Sequence, residues 1–196
     1  MLQTRAQVRE VVMQRILVLM FVAVLARPSL AGSRAGITMP DSVSVEGTSL
    51  LLNGMGIRKA TIFRVKVYVA GLYVERKSRN AEELLRSEQI KRYDVVLLRD
   101  VDRDDIIDVF RKGMKKNVAD MAKIQARFDR FAAWMPDFKE RDTLSLLYLP
   151  GRGVVVTFKG QVKGTIGGAD FASALFAIWL GPDPADDDLK DGLLGK

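Results

Sequence analysis

The chain has 196 residues, 48% of them hydrophobic and 28% charged, enough for one sizeable core and short for two. It has no cysteine and no histidine, which excludes disulfides, thiolate nucleophiles, cysteine-held zinc, iron–sulfur clusters and every serine–histidine–aspartate triad. Of the formal charge of +7, residues 1–31 supply +3 through four arginines set against one glutamate, leaving a modest +4 on the rest.

The first element in chain order is Ile16–Ala26, eleven apolar residues without interruption. A membrane span needs about 20. Arg15 precedes the run, and the small residues Ser29 and Ala31 follow it. Positive, then apolar, then small is the order of a secretory signal peptide, so cleavage is expected after Ala31, with residues 1–31 as leader and 32–196 as a single mature domain. Met13 would give a tidier start than Met1. Export of this kind implies a periplasmic destination.

From Gly32 to Gly47 the sequence reads as a lead-in with one short strand near Val43–Val45. Leu50–Gly56 is expected to be a strand ending in a glycine bend. Thr61–Glu75 is rich in β-branched and aromatic residues and reads as one long strand. One of its faces carries Phe63, Val65, Val67 and Val69; the other carries Arg64, Lys66, Tyr68, Ala70 and Leu72. Asn80 caps a short helix with acids in its first turn. Lys91–Arg99 is a strand, and Asp102 caps a helix running to Lys116. Met121, Ile124, Phe128, Phe131 and Met135 recur at helical spacing and form a core stripe rather than a cofactor box.

Thr143–Leu149, Val154–Lys159 and Gln161–Ile166 form a meander, with Pro150–Gly153 as its first turn. Ala169–Leu180 is an apolar, buried helix, and a short helical piece follows near Leu189–Leu194. Strands and helices are partly segregated, which fits an α+β fold.

Several motifs carry less chemistry than they suggest. Asn53-Gly54-Met55-Gly56 lacks the third glycine of a dinucleotide loop and the Gly-Lys-Ser/Thr of a phosphate loop, and a strand follows it. Its glycines are expected to bend the backbone beside Arg58. Asp183 and Asp186-Asp187-Asp188 lack calcium-loop spacing and read as the capped, acidic start of the last helix. No metal and no cofactor is expected. Lys115, Lys116, Arg127 and Arg130 make no dense basic face, so nucleic acid is not an expected partner.

Arg58 stands out. An arginine stays charged at any working pH and cannot be a general base, but its planar fork can hold a carboxylate or stabilise an oxyanion.

Leu52-Asn-Gly-Met-Gly-Ile-Arg58-Lys59, followed by Phe63-Arg-Val-Lys-Val-Tyr-Val-Ala-Gly-Leu-Tyr73, resembles the chalcone isomerase-like family, in particular its bacterial exported branch. Tyr148-Leu-Pro-Gly-Arg-Gly, Phe158-Lys-Gly, Gly164-Thr-Ile-Gly-Gly-Ala-Asp170-Phe171, Ile178-Trp-Leu-Gly181 and Leu189-Lys190 extend the resemblance to about Ser44–Gly195. It implies an open-faced β-sandwich, in which helices cover one side of a large antiparallel sheet above a ligand cleft. Relatives include the plant enzyme that cyclises chalcones and non-catalytic proteins that bind fatty acids. In both groups an arginine matching Arg58 faces the cleft.

Two hydroxyl-bearing positions of the enzyme correspond to Tyr68 and Ile178, and its tyrosine and asparagine near the first long helix have no match in Leu98–Asp108. The resemblance therefore implies a non-catalytic binder of a fatty acid or similar small apolar anion. Arg58 would be its anchor, with Tyr68 as a hydrogen-bond donor and Lys59 and Lys66 at the mouth. Two alternatives stand beside it. One is an intramolecular lyase or isomerase in which Arg58 stabilises an oxyanion; the other is a partner-binding module without a ligand.

Overall fold

The computed structural model describes residues 32–60 and 63–196; the expected leader lies outside them. Nine strands form in chain order. The first two, β1 (Gly32–Arg34) and β2 (Ile37–Met39), make a separate hairpin. The other seven form one antiparallel sheet in sequence order: β3 (Ser42–Val45), β4 (Thr48–Ala60), β5 (Val65–Val74), β6 (Lys91–Leu97), β7 (Thr143–Leu149), β8 (Gly153–Phe158) and β9 (Gln161–Ile166). Sequential strands pair throughout; the connection between β5 and β6 carries one short helix, and the long one between β6 and β7 carries most of the helical cover.

Those helices are α1 (Ala81–Arg86), α2 (Arg103–Asn117), a 3₁₀ turn (Met121–Ile124) leading into α3 (Gln125–Ala133), α4 (Ala169–Leu180) and α5 (Asp187–Leu193). None among the described residues is long and apolar enough to cross a membrane. Between helices and sheet lies the main core, which includes Leu72, Tyr93, Leu146, Phe128, Phe131, Phe171 and Trp179. The helix α4 buries nine consecutive or near-consecutive side chains from Phe171 to Leu180, as an all-round apolar helix must. A second, smaller cluster lies on the opposite face, where Met39 of β2 covers Leu52, Val69 and Tyr73. This cover explains why β5 is buried on both faces from Val69 onward.

The sequence places most elements within a few residues of where they lie. Asn80 caps α1, its side chain accepting from the backbone of Glu82 and Glu83. Asp102 holds the cap position of α2 but makes no cap bond; the carboxylate of Asp137 takes the free Arg103 N–H at 2.9 Å instead. The stripe from Met121 to Met135 faces the core as expected, but its first turn is 3₁₀.

Two expectations need correction. Thr61–Glu75 is not one strand: Phe63 and Arg64 lie in a turn, Arg64 at φ 51°, and β5 begins only at Val65. Nor do Gly54 and Gly56 end a strand in a bend. Strand β4 runs through both for 13 residues, with a register shift between Leu52 and Gly54.

Their missing side chains serve a close approach instead. A Cβ on Gly54 would press on the carbonyl oxygens of Gly192 and Leu193, and one on Gly56 on the backbone of Leu189. The last helix thus lies directly on the strand's backbone. Asn53 locks it there: its Nδ2 donates to Leu193 O at 2.7 Å and to Ser78 O at 3.0 Å, and its Oδ1 accepts from Ser78 N. Gly54→Ala must therefore push α5 off the sheet, because only backbone atoms stand in the way. A loss of roughly 2–4 kcal/mol, of the size of a core overpacking or cavity change, is expected in urea unfolding. An unchanged midpoint would show that α5 is not seated as described.

One buried cation sits far from α5. Lys91, 4% exposed, donates from Nζ to Leu84 O at 2.9 Å and to Ser87 O at 2.8 Å, closing the C-terminal end of α1. Burial brings its pKa down from 10.5 to about 8, with the nearby Glu88 opposing. Between about pH 8 and 10.5 the unfolded chain then binds the extra proton, so this group's contribution to stability rises with pH across that window. Melting temperatures of the protein and of Lys91→Met should accordingly diverge in favour of the native lysine from pH 7.5 to 10. A difference that shrinks over that range would mean that the carbonyl cage outweighs desolvation.

Candidate functional site

Arg58 lies near the end of β4 and pairs in register with Tyr68 of β5. Directly opposed residues of antiparallel neighbours project to the same face, here the face covered by helices. Both side chains border one apolar cavity of about 120 Å³. Its floor is Val67, Val95, Leu97 and Leu144 of the sheet. Its walls are Ile106, Val109 and Phe110 of α2 and Ile178 and Trp179 of α4. Polar groups at the cavity are few: Arg58, Tyr68, Asp105 and the Trp179 indole. Ligand pockets usually measure roughly 300–1,000 Å³. The present volume suits a ring or a few methylenes, so a longer chain requires the cavity to widen.

Arg58 does not stand without a protein acid. Its Nη1 donates to Asp186 Oδ2 at 3.1 Å and to the Lys59 carbonyl, and the two side chains are 23% and 12% exposed. Asp186 is held from three sides, since Oδ2 also accepts from Lys59 N at 3.1 Å and Oδ1 caps α5 by accepting from Leu189 N at 3.0 Å. It is therefore a fixed counter-ion. Among the described residues every side-chain hydrogen bond of Arg58 runs from Nη1, which leaves the other edge of the fork for a ligand.

Tyr68 accepts the Trp179 Nε1–H at 2.9 Å. Burial raises its pKa above the ordinary phenol value, opposed by the hydrogen bond from Trp179, by the nearby Tyr93 hydroxyl and by the charge of Arg58. It is thus a neutral donor at any working pH. Tyr93 stacks on Trp179 with ring centroids 4.0 Å apart, and Phe110 packs edge-on to the same indole. The Tyr93 hydroxyl is buried near that of Tyr68 yet has no partner in hydrogen-bond geometry, an omission that costs roughly 1–3 kcal/mol.

Of the four site residues expected from sequence, the structure brings Arg58 and Tyr68 together at the cavity and leaves Lys59 and Lys66 outside its lining. Lys59 pairs with Asp188 at 3.2 Å, and Arg64 binds the same carboxylate. Lys66 is exposed on the hairpin. Ile178 does line the cavity and supplies only hydrocarbon there. Trp179, Tyr93, Asp105 and Asp186 were not foreseen. A lone indole N–H among the buried apolar residues of α4 is the available signal for Trp179, because a buried indole needs an acceptor.

The arrangement offers hydrogen-bond donors, one of them permanently charged, in an apolar recess. The one acid among the lining residues described, Asp105, is on the exposed N-terminal part of α2. Such a site can hold and orient an oxygen atom attached to hydrocarbon.

The sequence pattern described as chalcone isomerase-like matches residues 31–195. No curated protein sequence matches the chain. Among solved structures, a fatty-acid binding protein of Arabidopsis thaliana superposes with a TM-score of 0.69, covering 84% of this chain and 95% of its own. At 14% identity, that likeness concerns the fold. The curled antiparallel sheet with helices on one side is the architecture that the sequence resemblance implies, and the chain belongs to the chalcone isomerase-like family.

Proposed function

We propose that this protein is an exported, non-catalytic carrier that shelters a fatty acid or similar small apolar acid between its sheet and helices, with Arg58 as anchor and Tyr68 as second donor. The observation that carries this reading is the pairing of Arg58 and Tyr68 on one side of a cavity walled mostly by hydrocarbon. A fold relative bearing the name of a fatty-acid binding protein supports the ligand class. Burial of an alkyl chain contributes about 0.8 kcal/mol per methylene, while the oxygen contacts fix which end enters first. Because Asp186 already balances part of the Arg58 charge, the carboxylate uses the free edge of the fork and adds a negative charge to the pair.

A ring-closing isomerase would share the Arg58 contact. Ile178 weighs against it, since this wall position offers no hydroxyl to polarise a ketone. The four basic residues of the apolar-run leader and the small residues at Ser29 and Ala31 support export.

Native mass spectrometry of protein purified from the periplasm of its expression host, with the full leader present, tests the carrier and its destination together. Bound acyl species and a rise in melting temperature with dodecanoate are expected. Arg58→Ala should weaken dodecanoate binding by about 10- to 100-fold, the value of a charge-assisted hydrogen bond. Asp186→Asn, which keeps an oxygen for the α5 cap, should strengthen binding by removing the competing charge. Empty protein in every preparation, with no thermal shift from any fatty acid, would defeat the reading.

A further inference from the structure

Three donors and two acceptors meet at the inner end of the cavity. The Trp179 indole can only donate, and it gives its proton to the Tyr68 oxygen at 2.9 Å. Tyr93 stacks on that indole, and its hydroxyl, on a residue 1% exposed, lies near the Tyr68 hydroxyl without a bond of good geometry. Since the indole accepts nothing, one of the two phenol protons must point away from the cluster.

The two arrangements differ in where that proton ends. Were Tyr68 to donate to Tyr93, the Tyr93 proton would be left unbonded in the apolar core. With Tyr93 donating to Tyr68, the Tyr68 oxygen takes both inner donors on its two lone pairs. The surplus proton is then carried by a residue that lines the cavity opposite Arg58. The second arrangement satisfies every buried group except one donor that faces the ligand space.

We propose that Trp179 and Tyr93 are positioning residues that hold the Tyr68 hydroxyl as a donor directed into the cavity, so that the site selects its ligand by an acceptor oxygen, neutral as well as charged. Neutral oxygens qualify because Asp186 already balances part of the Arg58 charge, so the site does not depend on an anion to do so. For the ligand, this inference rests on the carrier reading; for the hydrogen bonds, it does not.

The test has two arms, both on the mature chain. In the first, binding of dodecanoate and of a methyl ketone with the same chain length is measured by calorimetry. Tyr93→Phe should weaken both probes by about five- to tenfold, the worth of one neutral hydrogen bond. It should have no further effect in a Tyr68→Phe background, because Tyr93 acts through that hydroxyl. In the second arm, the indole N–H resonance of Trp179, assigned with Trp179→Phe, is followed by NMR without ligand. It should move upfield in Tyr68→Phe and shift in Tyr93→Phe.

Equal losses from Tyr93→Phe with and without the Tyr68 hydroxyl would reduce Tyr93 to a packing residue and overturn the proposal. So would an indole resonance indifferent to Tyr93→Phe. A protein that takes the acid but not the ketone would overturn the selection by neutral oxygen. If the native protein takes up neither probe, the carrier reading fails by itself, and the resonance still decides the hydrogen-bond assignment.

Discussion

The close seating of α5 on the backbone of β4 is the contact on which the site depends. Gly54 and Gly56 present no side chain, so Gly192, Leu193 and Leu189 approach within contact distance of the strand itself. The helix begins at Asp186, and its seating fixes where that carboxylate stands. Asp186 then does two things at once: it caps α5 through Leu189 N and holds one edge of Arg58. An arginine at the end of a strand has many rotamers, and pairing with a fixed acid removes most of them. The guanidinium is therefore preorganised by a contact between residues 128 positions apart.

The same pairing sets the electrostatic character of the cavity. An unpaired guanidinium in hydrocarbon would bear a heavy desolvation cost and would demand an anion. A paired one costs less and demands less. What remains in the recess is a directional set of donors rather than a strong positive field. Tyr68, kept neutral by burial, belongs to that set, and Trp179 places it there. The outer ion pairs, Lys59 and Arg64 on Asp188, are exposed and contribute little to stability individually. They join the β4–β5 hairpin to the start of α5, on the solvent side of the partly buried Arg58–Asp186 pair.

The fold was readable in the sequence to a large extent, because period-two and period-3.6 patterns report burial directly. The meander from Thr143 to Ile166, the caps at Asn80 and Asp186 and the apolar helix α4 all lie where their residues put them. One departure turns on glycine. Glycine was read as a source of backbone freedom, whereas Gly54 and Gly56 are needed for their lack of a side chain in an extended strand. The short hairpin β1–β2 turns at Ala35-Gly36, both at positive φ, and alanine gives no hint of such a turn.

Arg58 and Tyr68 were found, and their juxtaposition follows from pairing register alone. Lys59 and Lys66 were drawn in by proximity in sequence, but they pair with each other across the strands beyond the register shift at Arg58/Lys59, and neither lines the cavity. Asp186, Trp179 and Tyr93 come to the site from a loop, a helix and a strand that only the folded chain unites. Apart from the Trp179 indole on its mostly apolar helix, no local pattern marks such residues. Each had a sufficient local explanation, as a cap, a core aromatic and a strand aromatic, and each meets that local need as well. The unsatisfied hydroxyl of Tyr93 is the one feature that local packing leaves unexplained. A buried phenol that serves only to fill space would be as well served by phenylalanine, so the oxygen is the atom whose purpose must be sought at the cavity.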